Sequence, residues 1–151
     1  MMKKLTILLV FILSGIALNA QTTNEEIDYI QAIFGMEKRT AVKEFITLKA
    51  SEEAAFWMNY DEFEIKRKVY GKERIELLDK FAQKYDTMSE QESEVWMKSV
   101  MELRDKNEKL IAKYYKKMAK ECSPIVAMQF YQIESYILAG IRFQILENVP
   151  F

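Results

Sequence analysis

Apolar residues recur every three or four positions along most of this 151-residue chain, which is the spacing of one face of an α-helix. The longest stripe lies between residues 51 and 85 and consists of Phe56, Tyr60, Phe63, Arg67, Tyr70, Arg74, Leu77 and Phe81. At about 1.5 Å per residue, a helix over this stretch spans roughly 50 Å. Two arginines therefore fall inside an otherwise apolar stripe.

Capping residues divide the chain into further helices. Ser51 is followed by two glutamates and is the predicted N-cap of the long helix. Ser89 begins a capping box after a short linker, which predicts a second long helix over 90–120 that folds back antiparallel to the first. A last helix is predicted from Pro124 to about residue 147.

The first helix is less regular than the others. A capping box at Thr23 starts an apolar stripe of Ile27, Ile30, Phe34, Ala41, Phe45 and Leu48. Gly35 interrupts this stripe, so we expect two short helices or one bent helix before Lys49. Glycine and proline are too scarce for a sheet protein with many turns. The fold class is therefore predicted to be all-α, an elongated antiparallel hairpin or bundle of about four helices with long central helices.

The N-terminus predicts the compartment. Lys3 and Lys4 precede an apolar run from residue 5 to residue 17, which has the size of a signal peptide and is too short for a membrane span. We expect a signal peptide over residues 1–20 and a single helical domain over residues 21–151. The mature chain is predicted to be periplasmic or secreted, with no stable membrane anchor, since no second long apolar run follows.

Charge and composition exclude several function classes. The chain has 22 Lys and Arg against 23 Asp and Glu, so loss of Lys3 and Lys4 leaves 20 against 23, a net charge of about −3. Neither nucleic acid nor an anionic membrane is an expected partner. The absence of histidine removes the commonest general base, so we expect neither an enzyme nor a cofactor. The single Cys122 is predicted to be buried.

The charged residues inside the stripes are the candidate structural site. Arg67 and Arg74 lie on the stripe of the long helix, and Glu134 lies on that of the last helix. An unpaired buried charge costs several kcal/mol. We therefore expect Glu134 to face Arg67 or Arg74 across the bundle, in a buried ion pair that fixes helix register.

Two other residue groups have an ordinary structural interpretation. Met97 and Met101 share a helix face and could offer thioethers to Cu(I), but filling gaps in the core is the favoured role. Carboxylates at helix-start or surface spacing are interpreted as a solvated face: Glu52, Glu53, Asp61, Glu62 and Glu64.

Short motifs in the chain resemble the Spy/CpxP-like group of periplasmic helical proteins. Residues 88–92 are similar to its second Leu-Thr-x-x-Gln helix-start motif, and residues 48–53 are a looser first copy. The chain also resembles an uncharacterised exported helical family through Phe56, Trp57, Tyr60, Phe63, Glu64, Arg67, Phe81, Ala82, Tyr85, Phe130, Gln132, Ile133, Glu134 and Pro150.

The resemblance implies a periplasmic chaperone that binds exposed apolar segments of envelope proteins, acting as a homodimer. The alternative is an envelope-stress sensor or regulatory accessory that binds one specific protein partner. The known chaperone is basic on its client surface, whereas this mature chain is slightly acidic. The aromatic residues expected to contact a partner are Phe56, Trp57, Tyr60, Phe63, Tyr70, Trp96, Tyr114 and Tyr131.

Overall fold

The protein is described by a computed structural model over residues 24–148, and this part of the chain forms four α-helices without any strand. Their bounds are Asn24–Phe45 for α1, Ala50–Lys84 for α2, Glu90–Glu121 for α3 and Pro124–Asn148 for α4. A short 3₁₀ turn, Tyr85–Thr87, lies between α2 and α3. The predicted all-α class and the long central hairpin are confirmed.

The four helices pack in a ring that follows chain order. α2 packs against α3 and α3 against α4, while α1 closes the ring by contacting both α2 and α4. The ring encloses one apolar core made of Phe34, Val42, Ile46, Phe56, Tyr60, Phe63, Leu110, Ile111, Tyr114, Met118, Val126, Ala127, Phe130, Ile133, Ile137 and Leu138. This arrangement buries the inward stripe of each helix, as expected for an antiparallel helical bundle.

The core occupies only part of the hairpin, because α1 and α4 are shorter than α2 and α3. α1 and α4 have 22 and 25 residues, against 35 and 32 in the two hairpin helices. Ile75 and Leu103 are buried, but no side chain from residue 76 to residue 102 is. We call residues 76–102 the hairpin end and the remainder of the described bundle the four-helix end.

The cap predictions on the second half of the chain are confirmed. The Ser89 hydroxyl accepts a hydrogen bond from the Glu92 backbone N–H, and the Glu92 carboxylate accepts one from the Ser89 N–H at 3.0 Å. Pro124 is the first residue of α4, and the Val126 N–H lies 3.4 Å from the Ser123 hydroxyl. The contacts at both helix starts satisfy backbone N–H groups that the helix itself leaves unpaired, and those between Ser89 and Glu92 are reciprocal.

Two local predictions in the chain were wrong, and a third is now decided between its alternatives. Ser51 is not the N-cap of α2, because the Glu52 carboxylate reaches back to the Lys49 N–H at 2.9 Å and the helix begins two residues earlier than predicted, at Ala50. Gly35 does not divide α1 into two short helices, since α1 is a single helix. Cys122 is a half-buried free thiol rather than a buried one.

Some predictions fall on residues that the structure does not describe. The signal peptide over residues 1–20, the cap at Thr23 and Pro150 of the family resemblance all lie outside the described residues. Within residues 24–148, no helix combines the length and apolar character that crossing a membrane requires.

Candidate functional site

A buried lysine lies at the centre of the four-helix end. Lys38 on α1 is fully buried, and its ammonium contacts the carboxylates of Glu64 on α2 and Glu134 on α4, the latter at 2.7 Å. The ammonium also lies 4.7 Å from the centroid of the Phe63 ring, within the range of a cation–π contact. One side chain of α1 is thereby held by two other helices.

The local sequence places Lys38 in the interior. It lies four residues after Phe34 and four before Val42, so it shares their inward helix face. Glu134 follows Ile133 on α4, and both are buried. The lysine stem lies among apolar side chains, while its charged head meets the two carboxylates.

Arg67 extends this group along α2. Its Nε donates to both carboxylate oxygens of Glu64 at 2.9 Å, and its Nη1 donates to the Gln31 side-chain oxygen at 3.1 Å. Gly71 makes that approach of α1 feasible, because a Cβ at this position would lie 2.6 Å from the Gln31 oxygen. We call Lys38, Glu64, Arg67 and Glu134 the buried ion network.

The two carboxylates of the network have opposite pKa shifts. Burial by itself raises the pKa of Glu64, but the charges of Lys38 and Arg67 outweigh it and hold that pKa below its ordinary value. Burial raises the pKa of Glu134, and the nearby Glu64 charge adds to the effect while Lys38 opposes it. Glu134 is therefore the member of the network that takes up a proton more easily.

A small cavity of about 30 Å³ lies beside the network, between Arg67, Arg74, Glu134 and the apolar side chains of the core. The Arg67 Nη2 and Glu134 Oε1 atoms are buried and lack a hydrogen-bond partner among the described residues. A cavity of this size has room for one or two water molecules, which suits the presence of these two unpartnered polar atoms.

The predicted pairing of Glu134 with Arg67 or Arg74 was wrong in the identity of the cation. Lys38 takes that position, and Arg67 pairs with Glu64 instead. The spacing of the α1 stripe contains the missed signal, since Lys38 falls between Phe34 and Ala41. Glu52 and Glu64 were both predicted to lie on a solvated face, and both are buried. Glu52 caps the start of α2, and Glu64 is held by Lys38 and Arg67.

Arg74 has no acidic partner among the described residues. It is half-buried beside the cavity, and burial together with the charges of Arg142 and Arg67 lowers its pKa to about 10. The guanidinium nevertheless stays charged at neutral pH. The network proper balances two cations with two carboxylates, an arrangement suited to fixing the register of α1, α2 and α4.

Half of the eight aromatic residues expected to contact a partner belong to the core. Phe56, Tyr60, Phe63 and Tyr114 are buried, so they are unavailable to a partner in this conformation, and that part of the prediction was wrong. The remaining four retain some exposure. Trp57 and Tyr70 are half-buried and pack against the core, and the Arg39 guanidinium lies over the Trp57 ring. Trp96 is half-buried in the hairpin end, and Tyr131 is exposed.

The hairpin end has a small aromatic cluster of its own. The Trp96 ring lies 4.5 Å from the Phe81 ring, and its indole N–H donates to the Leu77 carbonyl at 3.0 Å. Val95, Met97 and Met101 on α3 are exposed, the two methionines by 44% and 54%. The predicted core role of Met97 and Met101 was therefore wrong, because both side chains are exposed in the hairpin end.

The fold and the site define a class: a four-helix bundle with a buried ion network and a projecting two-helix end. Among the described residues, no group of three or more histidine, cysteine or acidic side chains is placed to hold a metal ion. No protein-family model, curated protein or solved structure matches the chain.

Proposed function

We propose that the protein is an exported, non-enzymatic binding protein that holds exposed apolar segments of envelope proteins, in the manner of a periplasmic chaperone. The observation that carries this proposal is the hairpin end, whose apolar side chains have less cover from the described parts of α1 and α4 than those of the four-helix end. Val95, Met97 and Met101 are exposed there, and Leu77, Leu78, Phe81, Trp96 and Val100 are half-buried.

The composition of this surface suits varied apolar segments. Methionine side chains are flexible and polarisable, so they adapt to partners of different shape. Phe81 and Trp96 form an aromatic pair in the same hairpin end. The hydrogen bond from the Trp96 indole N–H to the Leu77 carbonyl holds the orientation of the Trp96 ring. An extended or helical apolar segment can lie along the hairpin and bury surface on both partners.

Charge narrows the kind of segment that fits. Acidic residues in the hairpin end outnumber basic ones, with Glu76, Asp79, Asp86, Glu90, Glu92, Glu94 and Glu102 against Lys80, Lys84 and Lys98. Complementary charge speeds encounter and disfavours like-charged partners. We therefore expect apolar segments flanked by lysine or arginine to bind better than those flanked by acidic residues.

An aggregation assay tests this proposal. Residues 21–151, which contain the whole described bundle, are expected to slow the aggregation of a denatured basic test protein at near-stoichiometric ratio. Added salt weakens the protection, because it screens the charge contribution. No protection at tenfold excess contradicts the proposal.

A matched pair of variants locates the surface. Met101→Glu together with Met97→Glu is expected to reduce the protection, because the added charges oppose burial of an apolar segment. Met58→Glu on α2 is the control, since Met58 is 55% exposed and lies in the four-helix end. Equal loss in both variants contradicts the assignment to the hairpin end.

The alternative function, a sensor or regulatory accessory with one partner, has a different outcome in the same assays. Affinity capture that returns one stoichiometric partner through the hairpin end, without any protection of denatured proteins, favours that alternative.

A further inference from the structure

The outward face of α4 is apolar along almost its entire length. The exposed positions at helical spacing are Ile125, Met128, Gln132, Tyr136, Ala139, Phe143 and Leu146, which we call the α4 stripe. None of these positions is charged, although 30% of the residues in the whole chain are. The opposite face of α4 is buried in the core, so this helix is apolar on both sides. A helix of this kind is usually covered on both sides.

We propose that the α4 stripe is the contact surface for a second copy of this chain, with the two α4 helices antiparallel about a twofold axis. The order of residues along the stripe carries this inference. Reversal about a midpoint between residues 135 and 136 exchanges six of the seven stripe positions with one another: Ile125 with Leu146, Met128 with Phe143 and Gln132 with Ala139. The seventh, Tyr136, lies next to the midpoint. A twofold interface requires a self-complementary surface of this type.

The spacing of the stripe fits helix pairing. Its seven positions cover 22 residues, about 33 Å of helix, in steps of three and four. Two Tyr136 side chains flank the axis. Ala139 beside them is small, and a Cβ added to the next residue, Gly140, would meet no atom within 4 Å. The centre of the stripe therefore has space for the two rings.

The charges at the ends of the stripe agree with this pairing. In the antiparallel register, Glu147 of each copy lies opposite Pro124 of the other. Pro124 is the first residue of α4, where the helix dipole is positive and favours a carboxylate. No like charges meet along the stripe itself, because it contains none.

The area is sufficient for a specific dimer. Ile125, Met128, Tyr136, Phe143 and Leu146 are 47–66% exposed. With roughly 200 Å² for each fully exposed residue, near the middle of the range for aromatic side chains, the five expose at most on the order of 600 Å² per copy. Two copies then bury about 1,200 Å², at the lower limit of standard protein interfaces.

The proposed dimer has a consequence for the hairpin ends. α4 runs antiparallel to α3, so antiparallel pairing of two α4 helices makes the two bundles antiparallel as well. The two hairpin ends then point in opposite directions from a shared centre. This inference stands whether or not the hairpin end binds apolar segments, because it rests on α4 alone.

Sedimentation velocity over a concentration series of residues 21–151 tests the dimer. We expect twice the monomer mass at micromolar concentration. In the Met128→Glu, Phe143→Glu double variant, the carboxylate at position 128 of each copy faces the carboxylate at position 143 of the other. The twofold axis makes two such repulsive contacts, so the dimer Kd is expected to rise on the order of 100-fold or more. The control is Ile65→Glu with Val69→Glu, two exposed positions on the outward face of α2, which leave the dimer unchanged.

A charge reversal tests the register independently. Met128→Lys together with Phe143→Glu in one chain sets opposite charges against each other at both contacts, so dimerisation is expected to return relative to the double-glutamate variant. Circular dichroism checks that each variant remains helical, which exposed substitutions allow. Failure of the opposite-charge variant to restore the dimer overturns the proposed pairing.

Other occupants of the α4 stripe produce different results, each of which overturns the proposal. A monomeric wild-type chain that loses protection of denatured proteins in the Phe143→Glu variant assigns the stripe to apolar segments of other proteins. A monomer that binds neutral phospholipid vesicles through the stripe assigns it to a lipid surface. A dimer that persists in the double-glutamate variant places the interface elsewhere.

Discussion

The four-helix end and the hairpin end are built from the same two helices, yet they differ in what surrounds them. Around Phe63, α2 has neighbours on several sides, and the side chain is almost completely buried. Around Phe81, eighteen residues further along α2, the described contacts come from the hairpin itself, and the side chain is half-buried. The comparison shows that a continuous helical stripe does not guarantee a continuous core. The number of covering helices determines which part of the stripe is buried.

The two ends also differ in how they use charge. The four-helix end buries Lys38 between two carboxylates, away from bulk solvent, where charges interact more strongly. The hairpin end places its ion pair, Lys84 with Glu92, on the surface, where such pairs contribute little to stability. Substitutions of similar chemistry are therefore expected to have large effects at one end and small effects at the other.

The largest effect is expected from Lys38→Met. It removes the buried ammonium and leaves Glu64 and Glu134 facing each other, so the free energy of unfolding is expected to fall by about 3–5 kcal/mol. The pKa of Glu134 is already raised by burial, so protonation relieves the repulsion and the loss becomes smaller at pH 5 than at pH 8. Urea unfolding at the two pH values measures both effects.

The control for this substitution is Lys116→Met, an exposed lysine on α3 that should change stability by less than about 0.5 kcal/mol. A Lys38→Met variant as stable as the wild type, or one whose loss grows at low pH, contradicts the assigned role of the network.

A matched pair of phenylalanine substitutions on α2 has the next largest effect. Phe63→Ala opens a cavity in the core and is expected to lower the free energy of unfolding by about 3–5 kcal/mol. Phe81→Ala removes a half-exposed ring, so we expect a loss of about 1–2 kcal/mol. Denaturant unfolding of both variants measures the difference. Equal losses indicate that the hairpin end is covered in solution.

The smallest effect is expected at the turn of the hairpin. Ser89→Ala removes the N-cap of α3, which typically costs about 1 kcal/mol. Because the hairpin end lacks buried side chains, we expect it to open locally at a lower free energy than the core. Hydrogen exchange should therefore accelerate in residues 76–102 of the variant and stay unchanged around Phe63. Uniform acceleration along the chain implies instead that both ends unfold as one unit.

Local signals predicted much of the fold. Ser89 and Pro124 were identified as helix starts because capping depends on residues three or four apart. The Glu52 carboxylate acts at the same short range, but Ser51 is a competing cap nearby, and the start of α2 was predicted two residues late. At Gly35, by contrast, tertiary packing decided the outcome. The packing of α1 against α2 and α4 outweighs the low helix propensity of one glycine, so the helix continues through it.

The buried ion network was predicted only in outline. The stripes identified Arg67 and Glu134 as charges that need partners, and both have them. The choice of Lys38 depends on how far α1 is rotated and shifted against α2 and α4, and no short-range pattern specifies these quantities. Glu64 shows the same limit of sequence-based prediction. It borders the apolar stripe of α2 and is buried in the bundle, where it contacts Lys38 of α1.

The sequence alone determined the helices, their order and their approximate ends, because periodicity and capping act within a few residues. It also placed charges inside apolar stripes and indicated that partners were required. Only the tertiary structure decided which charges meet, how far the core extends along the hairpin and which faces remain uncovered. These features depend on contacts between residues distant in sequence, such as Lys38 with Glu134, and on the unequal lengths of helices that pack side by side.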